Sequence, residues 1–581
     1  MLEPDGRAAL TEQLRPPSGY TLIHAVGTTF TLDLTSALTV PLSFAGHQLR
    51  ETEDPIAILD AVRRAAELVD VFGQAGQISV PRQASDLVAF LEPMVHPVLP
   101  PTRGSLFHPK IWILEFGRGD ERAYRLLCSS RNLTSDRSWD VMVRLDSDSS
   151  RSGDSSALQD LVLALPAMAV TPLTADRITR LRGLAARVES LAWESPTDIR
   201  EVQLHCLGVR RPPAMDFGGK RHFVISPFLS EDGIARVTRR AKEKVRVLSR
   251  VESLESLTPD TLSQIEGFIL DDAARDPDEL ADDALVGLHA KVVGLDRIDG
   301  SHLFIGSANA TAAALDGNVE FMVELIGPQP RVGVDALFGD TAALRNLVVP
   351  YTATGGRQPT ESEQADYALE VALRQFAGLR IRNTIRDDSD GTFAIDIELL
   401  EVAFAGDGIT ATVQLLTRPG NTAPMPDRAG EPVTFSSLPL TDLTPFTVVR
   451  VRDTRGEERS TVIRAELTGD LPHRHDAVLA RQIDSPQKFL QFLLLLLSLG
   501  GIGERGLVSD GGVGIGDWSG DGSGVFESLV KALGARAGSL DVLARLVDRL
   551  KADNPAVLPE GFDDLWESVW AAHESLMGSA S

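Results

Sequence analysis

Residues 289–309 read HAKVVGLDRIDGSHLFIGSAN, and residues 108–132 read HPKIWILEFGRGDERAYRLLCSSRN. Both begin H-x-K, run through an apolar segment carrying one acid, and end in S-x-N. Glu115 stands where the later copy has Asp296, and Ser129 where it has Gly306. The tails also match: Asp140-Val-Met-Val-Arg-Leu145 follows the first copy and Glu320-Phe-Met-Val-Glu-Leu325 the second. In an extended chain, residues i and i+2 share a face, so His and Lys of each H-x-K point into the same cleft. A His-Lys-Ser-Asn set written twice, each with a trailing acid, predicts two half-sites that meet in one active site.

The chemistry this set suits is phosphodiester hydrolysis without a metal. That reaction needs a nucleophile, a proton donor for the leaving oxygen and positive groups around the equatorial oxygens. One imidazole attacks phosphorus and becomes a phosphohistidine; the other protonates the leaving alkoxide and then activates water. Histidine suits both tasks because its unperturbed pKa lies near neutrality. Lys110 and Lys291 would place charge on the phosphate, and Asn132, Asn309, Ser130 and Ser307 would bind its oxygens.

The doubled motif resembles the phospholipase D superfamily, the HKD phosphodiesterases, in its nuclease and tyrosyl-DNA phosphodiesterase-like branch. The second copy matches fully, including the N-x-E of Asn318 and Glu320; the first is degenerate but keeps His108, Lys110, Ser130 and Asn132. The resemblance implies an α/β fold: a duplicated phospholipase D-like α-β-α sandwich with pseudo-twofold symmetry. It implies His108 as nucleophile and His289 as acid and base. Glu320 matches the family's trailing acid, which orients a histidine, and Asp140 is the looser match. The motif acid, here Glu115 and Asp296, is implied to be structural. Ser129 for Gly is a departure at a turn, and Pro109 requires a position without a ladder hydrogen bond.

At 581 residues the chain is too long for one ordinary core. Its 43% hydrophobic and 24% charged content is that of a soluble globular protein. The N-terminus lacks a basic and then apolar leader pattern, and the apolar run 489–499 is too short to span a bilayer. Two cysteines, Cys128 and Cys206, cannot build a disulfide framework and lack metal-ligand spacing. A cytoplasmic protein without cofactor or metal is expected, with no stable membrane association. The net charge of −25 means that any contact with nucleic acid runs through a local basic channel rather than through the field of the whole molecule.

Hydrophobic periodicity places strands at 21–34, 76–81, 107–115, 124–128, 222–228, 245–250 and 287–295. Helical spacing appears at 58–73, 157–168, 174–193, 230–244 and 261–268. The expected domains are a first half over 1–205, a second half over 206–355, a β-rich domain (sandwich or barrel) over 365–470 and a helical C-terminal region over 484–581. Residues 354–364 read as a linker, so a catalytic core ending near residue 355 is expected to be self-sufficient. The seven basic residues of 236–250, the seven acids of 271–283 and the His473-Arg-His475-Asp476 cluster are assigned to surface. Residues 485–499 read as a helix, buried or at a partner interface, and the 11 glycines of 500–524 as a flexible loop.

Together these features predict a metal-independent phosphodiesterase of nucleic acid, with DNA the expected polymer and repair or anti-phage defence the fitting contexts. The C-terminal region is the candidate surface for a protein partner. Two alternatives belong to other classes: a phospholipid-directed hydrolase or transferase, and a non-catalytic nucleic-acid-binding module. The first calls for a membrane-binding segment that the sequence does not show. The second is disfavoured by retention of all four functional residues in the degenerate copy.

Overall fold

The computed structural model describes residues 10–48, 62–81, 86–135, 138–210, 215–271, 287–401, 408–426, 431–471 and 561–578, with a few single residues between the last two stretches. The acidic run 272–283, the apolar run 485–499, the glycine-rich run 500–524 and most of the His473–Asp476 cluster lie outside the described residues.

Two large sheets carry the motifs. The first contains β1 (Thr21–Thr29), β2 (Val69–Gln74), β3 (Val95–Val98), β4 (Ile111–Arg118), β5 (Glu121–Ser129), β6 (Met142–Ser152) and β7 (Leu191–Trp193). Its spatial order is β7-β6-β5-β4-β1-β2-β3. The second contains β8 (Glu201–Leu207), β9 (Arg221–Ile225), β10 (Val245–Leu248), β11 (Ile265–Leu270), β12 (Val292–Arg297), β13 (Gly300–Gly306), β14 (Glu320–Gly327) and β15 (Val348–Pro350). Its order is β8-β14-β13-β12-β9-β10-β11-β15. From β6 to β3 and from β14 to β11 the strands follow one another in the same order and sense. In each, three neighbours are parallel (β1, β2, β3; β9, β10, β11) and the motif hairpin with its trailing strand is antiparallel. Strand β8 pairs along its whole length with β14, so residues 201–207 belong to the second sheet.

The parallel strands are covered on both faces, which is why their sequences run apolar without alternation; every residue of β2 is buried. One core takes side chains from both sheets, among them Ile111, Ile113 and Leu126 of the first and Phe223, Ile305, Phe321 and Val323 of the second. Helices α1 (Ser156–Met168) and α2 (Ala175–Val188) pack into it through Leu158, Leu161, Leu165, Leu181 and Leu184. Thr174 caps α2 by accepting from the Arg177 N–H.

Three segments with helical spacing change state partway. Residues 62–67 are helical, but 69–74 form β2; Pro259–Ser263 is helical, but 265–270 form β11; α2 ends at Val188 before β7. In each case a short apolar run fits either period, and pairing with neighbouring strands decides for the sheet. The helix expected over 230–244 ends at Val237, and the basic residues Arg239, Arg240, Lys242 and Lys244 lie in the connection to β10.

Beyond helix α3 (Glu361–Ala377) lie two four-stranded sheets whose inner faces share one core, including Ile395, Ile397, Val413, Leu415, Val449 and Val451. This is a β-sandwich, but it is not an appendage. Leu416, Phe446, Val448 and Val462 sit in the same apolar cluster as Val71, Val95 and Trp112 of the first sheet. Thr461 Oγ1 donates to the Ile78 carbonyl at 2.9 Å and accepts from the Ile78 N–H at 3.2 Å. The buried Glu92 carboxylate accepts from Arg474 and from Thr444. The terminal helix Phe562–Gly578 adds Phe562, Trp566 and Val569 to the same cluster.

The expectation of a self-sufficient core ending near residue 355 is therefore reversed. A chain truncated there would expose the apolar face that Phe446, Val448 and Val462 cover and would lose the pairing of Glu92 with Arg474. It is expected to be insoluble or to lack a cooperative thermal transition. A soluble 1–355 chain that unfolds cooperatively would show that the sandwich is dispensable to the fold.

Candidate active site

Both H-x-K segments lie in extended backbone immediately before a strand, not on it: β4 starts at Ile111 and β12 at Val292. Pro109 has no N–H to give, and only the lysine carbonyl of each segment accepts from its own hairpin, from the Ser129 and Gly306 N–H groups. The histidine end of each segment is held by the other half. The His108 N–H donates to the Val319 carbonyl at 2.9 Å, just before Glu320. The His289 and Ala290 N–H groups donate to the Trp139 carbonyl at 3.0 and 2.9 Å, just before Asp140. Gly287–Leu288 also pairs in parallel with Ser138–Trp139.

The side chains repeat this exchange. His108 Nδ1 is 2.9 Å from Glu320 Oε2, and His289 Nδ1 is 2.9 Å from Asp140 Oδ1. Each histidine is thus oriented by the trailing acid of the opposite half. With Nδ1 carrying the proton toward the carboxylate, Nε2 is the reactive nitrogen. Lys110 Nζ donates to the His108 carbonyl at 3.0 Å, and Lys291 Nζ to the His289 carbonyl at 2.7 Å.

The serines, expected to donate to a phosphate, are placed otherwise. Ser130 Oγ donates to Asp140 Oδ1 at 2.9 Å, Ser307 Oγ donates to Glu320 Oε2, and both hydroxyls are fully buried. Each also accepts a backbone N–H, from Val141 and Phe321 at 3.0 Å. They hold the acids that hold the histidines. Asn318 joins them, donating to Glu320 Oε1 at 3.3 Å while its own carbonyl accepts from the Leu106 N–H.

The departures of the first copy are accommodated. A Cβ at Gly306 would come within 2.2 Å of the Phe321 carbonyl, so glycine is required in the second turn. At Ser129 the chain carries a Cβ, and its hydroxyl accepts from the Arg131 N–H at 2.9 Å. Glu115 is buried against Arg187 and Tyr124, and Asp296 against Ser301 and Arg221, so both motif acids are engaged in the scaffold.

Sequence reading missed the ends of β1 and β9. Thr29 Oγ1 donates to the Thr31 carbonyl and accepts from the Leu133 N–H; Ser226 Oγ donates to the Phe228 carbonyl and accepts from the Ala310 N–H. Each hydroxyl pins the turn that carries Asn132 or Asn309. The signal was there in TTFT (28–31) and ISPF (225–228), two hydroxyl-bearing strand ends in matching places. Asn132 Oδ1 accepts from the Thr31 N–H at 3.3 Å, whereas the buried Asn309 Oδ1 has no hydrogen-bond partner among the described residues. Phe30 was also missed; its ring lies 5.1 Å from that of His108 and 5.8 Å from Lys110 Nζ.

The electrostatics tie the two motifs into one site. Burial pushes the His108 pKa down to about 4 against the upward pull of Glu320, with Lys110 and Lys291 both adding to the depression. Burial likewise takes His289 to about 4 against Asp140, again with both lysines contributing. Lys110 is held well below its ordinary value by burial and then by Lys291. Burial alone would raise Asp140 and Glu320; the facing histidines, joined by Arg131 and Ser130 at Asp140 and by Lys110 and Ser307 at Glu320, together hold both carboxyls low. Among the described residues no group of three or more His, Cys, Asp or Glu is arranged to hold a metal ion.

No family model matches the chain, and no curated protein matches it. Among solved structures it is similar to polyphosphate kinase from Porphyromonas gingivalis, at 12% identity over 63% of this chain and 51% of that one, with a TM-score of 0.31. It is also similar to yeast tyrosyl-DNA phosphodiesterase in its H432N_Glu mutant form, at 12% identity over 53% of this chain and 82% of that one, with a TM-score of 0.33. The chain spans about half the length of the polyphosphate kinase. It is the geometry of the two half-sites, not these distant likenesses, that bears on function.

Because both imidazoles favour the neutral form when folded, the unfolded chain binds protons that the folded chain does not. Stability therefore falls as pH drops from about 6.5, the unfolded value, toward the folded value of about 4. The melting temperature is expected to decline across that window and to decline less steeply in a His108→Gln/His289→Gln variant. Equal slopes in the two proteins would show that these histidines are not depressed.

Proposed function

We propose that this chain is a metal-independent phosphodiesterase that hydrolyses nucleic acid, with DNA as its polymer, through a phosphohistidine intermediate. In this reading the two sheet-bearing halves are duplicates related by a pseudo-twofold axis, of the phospholipase D type. The observation that carries the reading is the reciprocal pairing of His108 with Glu320 and His289 with Asp140 around two buried lysines. Two oriented imidazoles beside two cations are what in-line phosphoryl transfer requires of a site.

In the proposed first step, His108 Nε2 attacks phosphorus while the bond to the leaving oxygen breaks. Protonated His289 delivers its Nε2 proton to that oxygen, so the alcohol departs neutral. Lys110, Lys291 and the amides of Asn132 and Asn309 surround the equatorial oxygens as charge builds there. In the second step His289 takes a proton from water, hydroxide forms the new P–O bond, and the P–N bond breaks. A phosphate monoester leaves and His108 returns neutral. Glu320 stabilises the His108 ring as it takes on positive character, as Asp140 does for His289.

Depression of both imidazoles suits the nucleophile, which must be neutral to attack. The acid must instead be charged at the moment of transfer. An anionic phosphodiester supplies the compensating charge, raising the pKa of His289 on binding.

Cleavage of single- or double-stranded DNA should persist in excess EDTA, because every group in the proposed mechanism is a side chain. Strict dependence on added Mg²⁺ or Mn²⁺ would overturn it.

His108→Ala and His289→Ala should each lower turnover by about a thousandfold or more, since nucleophile and acid act as a unit. Circular dichroism should show both variants folded. Near-wild-type cleavage by either variant would rule out a single shared site.

A further inference from the structure

Phe228 is an aromatic side chain left 48% exposed at the end of β9. Its surroundings are built rather than loose. The Ser226 carbonyl accepts from Ser249 Oγ at 2.6 Å, the Pro227 carbonyl from Ser253 Oγ at 2.8 Å, and the Phe228 carbonyl from Ser226 Oγ at 2.7 Å. Three consecutive carbonyls are thus fixed by hydroxyls, and Leu229 forms a bridge with Ala310, next to Asn309.

One face of the ring is occupied. The Arg250 guanidinium lies over it, 4.9 Å from the centroid. The same guanidinium donates through Nε and a terminal nitrogen to the Leu288 carbonyl at 3.2 and 3.1 Å, one residue before His289. Arg250 therefore couples the position of Phe228 to the backbone of a catalytic histidine. In the first half the matching place in the turn is Thr31, which offers no ring; there Phe30 lies against His108 instead.

We propose that Phe228, backed by Arg250, is a stacking platform for the nucleobase next to the scissile phosphate on the His289 side. This inference rests on the nucleic-acid reading above and adds a substrate form to it: a single strand, whose base is free to turn out. An aromatic ring with one open face is a poor surface to leave in water and a good one for a base. The guanidinium beneath it is a planar cation that strengthens stacking and favours a polyanion. A duplex keeps its bases stacked on each other and must give one up to use the platform. The direction of selectivity is therefore single strand over double strand.

The test uses the full-length protein and DNA strands with one cleavable phosphodiester flanked by uncleavable methylphosphonate linkages. The base on each side of that phosphodiester is either present or replaced by an abasic residue. Wild-type protein is expected to favour the intact strand roughly tenfold or more in kcat/KM over the strand abasic on one particular side. Phe228→Ala should abolish that preference, and Phe228→Trp should restore it. Preference of wild-type size in Phe228→Ala would overturn the platform while leaving the nuclease reading in place. Absence of cleavage of every strand by the wild-type protein, with EDTA or with metal, would instead defeat the nuclease reading itself. Equal cleavage of single and double strands would overturn the single-strand assignment.

Discussion

The exchange of carboxylates between the two halves is the interaction on which the rest depends. Lys110 and Lys291 are almost wholly buried, and each depresses the imidazole of the other half as well as its own. A buried ammonium without compensation is expensive, and two that repel each other are more so. Glu320 and Asp140 supply the compensation, but each is placed by its own half's serine and pairs with the other half's histidine. Neither half can satisfy its own charges. The shared core between the sheets, the Gly287–Leu288 pairing with Ser138–Trp139 and the crossed backbone hydrogen bonds hold the alignment that this exchange needs.

Much of this was legible in the chain because the chain writes it twice. The four motif residues of each copy, the trailing acids and the strands after them could be aligned by eye, and in the structure each motif histidine meets the trailing acid of the other copy. What the sequence could not show is which partner each polar group takes. Ser130 and Ser307 look like phosphate ligands on paper because a hydroxyl near a His-Lys pair has that chemistry. In three dimensions antiparallel pairing of the motif strand with the trailing strand brings each hydroxyl onto a carboxylate. The pairing of His108 with Glu320 rather than with Asp140 is likewise a fact of packing between halves, invisible to any local pattern.

The sandwich shows the opposite limit. Its strands were legible from alternation, but alternation assigns one face inward and the other to solvent. Phe446, Val448 and Val462 are buried by the first sheet's cluster rather than by the sandwich's own core, in which Val449, Val451 and Ile463 take part. A strand buried on both faces reads as a β-rich run and gives no sign of which neighbour covers the second face. The buried contact of Glu92 with Arg474 joins residues nearly four hundred positions apart by sequence numbering. Only the fold reveals that pairing.

The two half-sites are similar but not equal, and the inequalities gather on one side. Asn132 has its amide oxygen held by the Thr31 N–H, while the buried oxygen of Asn309 has no partner among the described residues. The first turn ends in Thr31 beside Phe30; the second presents Phe228 over Arg250. A symmetric phosphate does not require such differences, since its two bridging oxygens are alike. A polymer does, because the groups carried by those oxygens differ, and one must leave while the other stays attached to phosphorus. In the proposed reading the chemistry common to both copies of the motif sits at the centre, and the direction in which a strand would lie across it is set by the residues on which the two halves disagree.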